Sequence, residues 1–180
     1  MTTGAIASLP MYDWPETRLA LERLWAAIAI ELEASKLPAP KLLTSADEFM
    51  EVWTSPDLVI GQTCGWPYAN LLQDVVVPFG RFDHALPGCK AGKYYSVYIG
   101  QSETDRQFLN DGAALGQCPR IAINGEDSQS GFHVFSEISR EFTQDDPTAA
   151  GHLMTGSHRK SVLAVANGEA RIAAIDAVAF

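Results

Sequence analysis

Apolar and polar positions along the chain alternate between short apolar runs and stretches of helical spacing. Ala5–Leu9 is an apolar run stopped by Pro10 and predicts a buried strand. Asp13-Trp-Pro-Glu16 places a capping acid, an early proline and a further acid in the order of a helix start. Behind it Leu21, Leu24, Trp25, Ile28 and Leu32 recur at helical spacing, while Arg18, Glu22, Arg23 and Glu31 lie mostly off that stripe. The spacing predicts a long helix with one buried face. Lys36–Pro40 predicts a linker and Lys41–Leu43 a short strand; Ser45-Ala-Asp-Glu48 is a second capping box, opening a helix that runs to Trp53. Asp57–Gly61, bounded by Pro56, predicts a strand, Pro67–Gln73 a short helix and Val75–Val77 another strand.

The second half repeats the alternation. Phe79–Lys93, rich in proline, glycine and isolated charges, predicts a connecting segment. Tyr94–Ile99 alternates aromatic and β-branched residues and predicts a strand; Arg106–Leu109 predicts a helical turn and Arg120–Ile123 a strand. A helix with Phe132, Phe135, Ile138 and Phe142 inward follows, then a turn at Asp145–Gly151 and a short strand at His152–Met154. Ser157 caps a helix through Asn167 with Gly168 just beyond it, and Arg171–Ile175 predicts the last strand. Strands alternating with helices predict an α/β fold with largely parallel sheets, in two units joined near residues 80–93.

Composition narrows the function. The chain has 180 residues, 22 acids against 13 bases and a formal charge of −9. Its charged fraction of 19% beside 47% apolar residues is that of a folded globular chain. The longest apolar run, Leu24–Ile30, falls far short of the ~18–20 residues needed to span a bilayer. No basic stripe is present, so nucleic acid is not an expected partner. Met1–Pro10 has neither the cationic start nor the apolar stretch of a secretory signal, an expectation of cytoplasmic residence for a chain complete at that end. Cys64, Cys89 and Cys118 do not form a disulfide framework; a single bridge between Cys64 and Cys89 would stabilise by roughly 3–4 kcal/mol in the chain-entropy account. The blunt apolar ending, Arg171 to Phe180, has the look of an interrupted chain.

Three segments carry candidate chemistry. Asn124-Gly-Glu-Asp-Ser-Gln-Ser-Gly131 lies between a strand and a helix, where Ser128 and Ser130 join unpaired N–H groups to make either a plain cap or an anion site. Thr155-Gly-Ser-His158 repeats that arrangement with an imidazole added. Gln62-Thr-Cys-Gly-Trp-Pro-Tyr68 follows a strand and supplies Thr63, Trp66 and Tyr68 as pocket material, and Tyr12 and Asp13 follow the first strand in the same way. Asp176 ends the last strand, as a cap or as an acceptor for an amine or a protonated oxygen of a ligand. Enzymatic signatures are weak: Cys64 and His158 could form a nucleophile and base, but nothing brings them together. His84, His133, His152 and His158 show no metal-ligand spacing, no C-x-x-C is present, and neither a P-loop nor G-x-G-x-x-G occurs. No metal and no cofactor is expected.

Ile6-Ala-Ser-Leu-Pro-Met-Tyr-Asp13, Gln62–Tyr68, Pro87-Gly-Cys89, Ile123–Gly131, Thr155–Arg159 and Ala174-Ile-Asp-Ala177 occur in that order. Together they resemble the phosphate/phosphonate-type (PhnD-like) substrate-binding proteins of ABC transporters, which have a type 2 periplasmic-binding-protein fold. The resemblance spans the whole chain. It implies an α/β protein of two lobes, residues 1–90 and 91–180, with mostly parallel sheets flanked by helices, closing on a small phosphate- or phosphonate-like oxyanion. It implies that Tyr12, Tyr68, Ser128, Gln129, Ser130, Thr155, Ser157 and His158 line the anion site and that Asp176 meets a ligand amine or hydroxyl. It further implies an ABC permease as partner, a periplasmic location and no catalysis. Chains of this kind return to complete the first lobe after the Ala-Ile-Asp strand. The corresponding expectation here is a first lobe lacking part of its sheet, with exposed apolar surface or association of two copies through it. A cytoplasmic sensing domain and a biosynthetic enzyme on the same fold are the alternatives.

Overall fold

The computed structural model describes residues 4–45, 48–102, 105, 120–143 and 151–180. Contacts divide the chain into two units, Met1–Pro78 and Phe79–Phe180, each of mixed helix and strand, so the connecting segment 79–93 groups with the second.

In the first unit β1 (Ile6–Ser8) and β2 (Leu58–Gly61) pair in parallel, with Ile6 opposite Leu58 and Ser8 opposite Gly61. Helices α1 (Arg18–Ala34) and α2 (Phe49–Trp53) lie between them in sequence. Helix α1 begins later than its sequence signature. Asp13 pairs with Arg18 at 2.9 Å instead of capping, and the Thr17 hydroxyl accepts from the Trp14 N–H at 3.0 Å, closing the turn before the helix. The expected buried face shrinks to Trp25, whose indole N–H donates to the Pro40 carbonyl at 3.0 Å. Leu19, Leu24 and Ile30 are 59%, 38% and 64% exposed. A two-stranded sheet offers too little surface to cover a helix of 17 residues.

Three further expectations are corrected. Lys41–Leu43 is not a strand: Pro38 and Pro40 lack donors, and the segment reaches β1 through Thr44 N–H to the Ala7 carbonyl at 2.7 Å and Ser8 Oγ–H to the Thr44 carbonyl at 3.0 Å. The capping box at Ser45 does not form, because α2 starts at Phe49 without a side-chain cap and Ser45 Oγ accepts from Arg18 at 3.1 Å; residues 46 and 47 lie outside the described ones. Val75–Val77 is not a strand either. The N–H groups of Val75 and Val76 both turn back to the Leu72 carbonyl at 2.9 Å, ending the helical segment formed by α3 (Gly65–Pro67) and a π turn at Tyr68–Leu72. All four tryptophans, Trp14, Trp25, Trp53 and Trp66, belong to this unit, and Trp53 donates its indole N–H to the Gln62 carbonyl at 3.0 Å.

The second unit is built on β3 (Ser96–Gly100), β4 (Ile121–Ile123), β5 (His152–Met154) and β6 (Ile172–Asp176), in the order β3-β6-β4-β5. Strand β4 is parallel to both β5 and β6, but β3 runs antiparallel to β6, so this sheet is mixed rather than wholly parallel. Every residue of β4 and β6 is buried, as the apolar runs of a sheet covered on both faces must be. Alternation along the strands divides the core. Ile121, Ile123, Ile172 and Ala174 pack with Phe135 of α4 (Val134–Thr143), and Ala122, Ala173 and Ile175 pack with Ala164 and Val165 of α5 (His158–Ala166). Small residues on the second face let α5 lie close to the sheet. Its end is a Schellman motif: Gly168 at φ +75° allows its own N–H to reach the Val165 carbonyl and that of Glu169 the Ala164 carbonyl. The side chains of Ile138 and Phe142, the turn expected at Arg106–Leu109 and most of that at Asp145–Gly151 lie outside the described residues.

Phe135 is 1% exposed, with its ring 5.7 Å from that of Tyr98, a half-buried side chain whose hydroxyl burial pushes up to about 12. Phe135→Ala is expected to cost about 3–5 kcal/mol, read as a lowered urea midpoint by circular dichroism.

Candidate functional site

The chain passes from β4 to β5 by way of α4 on one face of the sheet, then from β5 to β6 by way of α5 on the other, and β5 and β6 flank β4. The two connections thus lie on opposite faces beside the carboxyl ends of β4 and β6, the position at which open α/β sheets take ligands. Loop 124–128 leaves β4 there, Asp176 ends β6 there, and Ser96, opposite Asp176, opens β3 at the same edge.

A π turn, Gln129–His133, leads into α4, with the N–H groups of Phe132 and His133 both reaching the Ser128 carbonyl. Ser128 is the cap: its Oγ accepts from the Gly131 N–H at 3.1 Å. The N–H groups of Gln129 and Ser130 come too early in the helical segment to have an intrahelical acceptor. Ser130 is 1% exposed, and its Oγ lies 3.0 Å from His158 Nε2, the first residue of α5. Ser96 Oγ–H donates to the Ser130 carbonyl at 2.8 Å and fixes the peptide behind that hydroxyl. Asp176 is 5% exposed and accepts from the Val178 N–H at 2.8 Å. Burial holds the His158 imidazole below its ordinary pKa, opposed by the Asp176 carboxylate and by the Ala174 carbonyl.

The structure thus brings Ser128, Ser130, His158 and Asp176 to the carboxyl ends of β4 and β6, with Gln129 half-buried beside Ser130. Ser157 caps α5, accepting from the Lys160 N–H at 3.2 Å. The Thr155 hydroxyl is engaged inside the protein, with the Ile123 carbonyl at 3.0 Å, the Ser157 carbonyl at 3.1 Å and Ser161 Oγ at 2.7 Å. In the first unit Tyr12 follows β1 in a short 3-10 turn, its ring edge-on to Trp14. Thr63 and Tyr68 follow β2 and are half-buried, with Thr63 Oγ1 donating to the Cys64 carbonyl at 3.3 Å. Cys64 and Cys89 are not joined by a disulfide. Sequence reasoning missed Ser96 and named Asn124 and Gly131 only as the ends of a candidate segment. The first contacts the site only through a pairing 34 residues away in sequence. A Cβ at Gly131 would overlap Asn124 Oδ1 and stand 3.0 Å from His158 Cε1, so this glycine lets loop and helix meet.

Two other features lie apart. An open depression of about 260 Å³ between Gln101, Arg120 and Glu169–Arg171 sits at the amino ends of β4 and β6, the opposite edge of the sheet. Beside it Arg171 pairs with the buried Asp105, whose carboxyl this guanidinium holds below the usual range. No helix among the described residues is long and apolar enough to cross a membrane. No protein-family model matches the chain, and no curated protein matches it.

Gly131→Ala is expected to destabilise the protein by about 1–3 kcal/mol through overpacking, seen as a lowered urea midpoint. Stability should also fall as the pH drops from about 7 to 5. Burial is the largest influence on both His133 and His158 and lowers both. The unfolded chain, with imidazoles near the ordinary value of about 6.5, therefore takes up protons first. Urea midpoints across that range check this, and the decline should be shallower in His158→Gln.

Proposed function

We propose that this protein binds a small oxyanion of the phosphate or phosphonate class without catalysing a reaction on it. The observation that carries the reading is the 3.0 Å contact between Ser130 Oγ and His158 Nε2, part-buried at the carboxyl ends of β4 and β6. Two helical segments open there, so hydroxyls, an imidazole and helix-start N–H groups converge on one place. The buried Asp176 would accept from an amine or a protonated oxygen at the far end of the ligand. A formal charge of −9 is compatible with this, since exposed charges more than ~8–10 Å away are screened at physiological salt.

In this reading the two units are the lobes of a type 2 periplasmic-binding-protein fold. The chain is then the solute-binding component of an ABC-type transport system, resident in the periplasm and delivering its ligand to a permease. The mixed sheet supports the reading: a strand arriving from the connecting segment pairs antiparallel to β6 beside a parallel β6-β4-β5 core. The exposed Leu19, Leu24 and Ile30 of α1 support a first lobe that needs further covering.

Calorimetric titration with phosphate, methylphosphonate, phosphite and sulfate tests the binding. At least one is expected to bind, and Ser130→Ala and His158→Ala should each weaken that binding by about 1–3 kcal/mol, the worth of a hydrogen bond to a charged acceptor. Undiminished affinity in both variants would sink the assignment.

A further inference from the structure

This inference rests on the anion-binding reading and concerns how the same site sets its own polarity. A hydroxyl has one proton to donate. While Nε2 of His158 is bare, the Ser130 O–H donates to it and leaves only lone pairs for a ligand, which repels an anion. Once Nε2 carries a proton, it donates to Ser130 and frees the O–H for the ligand. Ser130 is 1% exposed and its carbonyl is held by Ser96, so the residue cannot swing away from this choice.

The surroundings decide which form the empty site holds. From β6, the Asp176 carboxylate and the Ala174 carbonyl act on the ring and favour its charged form, but burial outweighs them and keeps it neutral. Nδ1 is buried and closes no hydrogen bond. In the proposed cycle the neutral ring carries its proton on Nδ1 and leaves Nε2 as the acceptor from Ser130. From the segment after β4, the ring lies against Gly131, whose other neighbour Asn124 is uncharged, while Glu126 lies 3.8 Å from His152 and Asp127 acts on His133. On α5 itself Arg159 and Lys160 are exposed. The missing contribution toward the charged ring is one more negative charge near Ser130, and an arriving oxyanion supplies it.

We propose that anion capture at Ser130 is coupled to uptake of one proton by His158. The new N–H bond forms at Nε2, the proton comes from solvent, and the hydrogen bond to Ser130 reverses direction. Three measurements on the full chain test this. Calorimetry with methylphosphonate at pH 7, in two buffers of different ionisation enthalpy, counts protons after the ligand's own ionisation is subtracted; net uptake approaching one is expected in the wild type and none in His158→Gln. With sulfate, whose charge is constant from pH 6 to 8, Kd should rise by up to about tenfold per pH unit in the wild type and stay flat in the variant. Nitrogen NMR of the unmutated protein should show Nε2 of His158 changing from bare to protonated on saturation. Anion binding without proton uptake and with unmoved His158 nitrogens would overturn the coupling while leaving the binding reading intact. Uptake that persists in His158→Gln would do the same, and failure of every anion to bind overturns both.

Discussion

The parallel pairing of β4 with β6 is the constraint on which the second unit depends. Both strands are buried from end to end, so their backbone groups must find partners in the sheet and their side chains must fill both faces. That requirement places one helix on each face. The connection leaving β4 runs over one face and the connection entering β6 over the other, and the carboxyl ends of these two strands are where the polar Ser128, Ser130 and Asp176 are buried.

At these strand ends most hydroxyls have structural duties. Ser128 and Ser157 cap helical segments, and Thr155 ties the end of β5 to β4 and to α5. Ser130 differs because its partner is an ionisable ring rather than the backbone. A contact of this kind has a direction that depends on protonation, which a cap does not. Gly131 matters for the same reason: without a side chain there, the π turn and the first residue of α5 come close enough for the contact to exist.

Much of this was legible in the residues. Apolar runs of three to five residues gave β4, β5 and β6, and the Ser157 and Gly168 signals marked both ends of α5, because each rests on chemistry local in sequence. The loop 124–131 and the Thr155–His158 turn were readable as polar helix starts for that reason. The failures share a cause. Asp13 and Ser45 carry good capping patterns, but Arg18 draws both into contacts of its own, a competition that no local pattern displays. Val75–Val77 has strand composition, yet strands need a neighbour, and the Leu72 carbonyl captured two of its N–H groups first. Ser96 was invisible as a site residue because its role depends on a register between distant strands. The antiparallel direction of β3 was hidden likewise, since direction belongs to pairing and not to composition.

The distribution of indoles has an optical consequence. Every tryptophan lies in the first unit, and Trp25 and Trp53 are each 3% exposed with their N–H groups bonded to carbonyls. Intrinsic emission excited at the red edge of the indole band is therefore a private signal of that unit, blue-shifted while its two buried rings stay dry. The second unit, with tyrosines such as Tyr94, Tyr95 and Tyr98 as its chromophores, is dark at that wavelength. A single tryptophan introduced beyond residue 78 would give it a colour of its own.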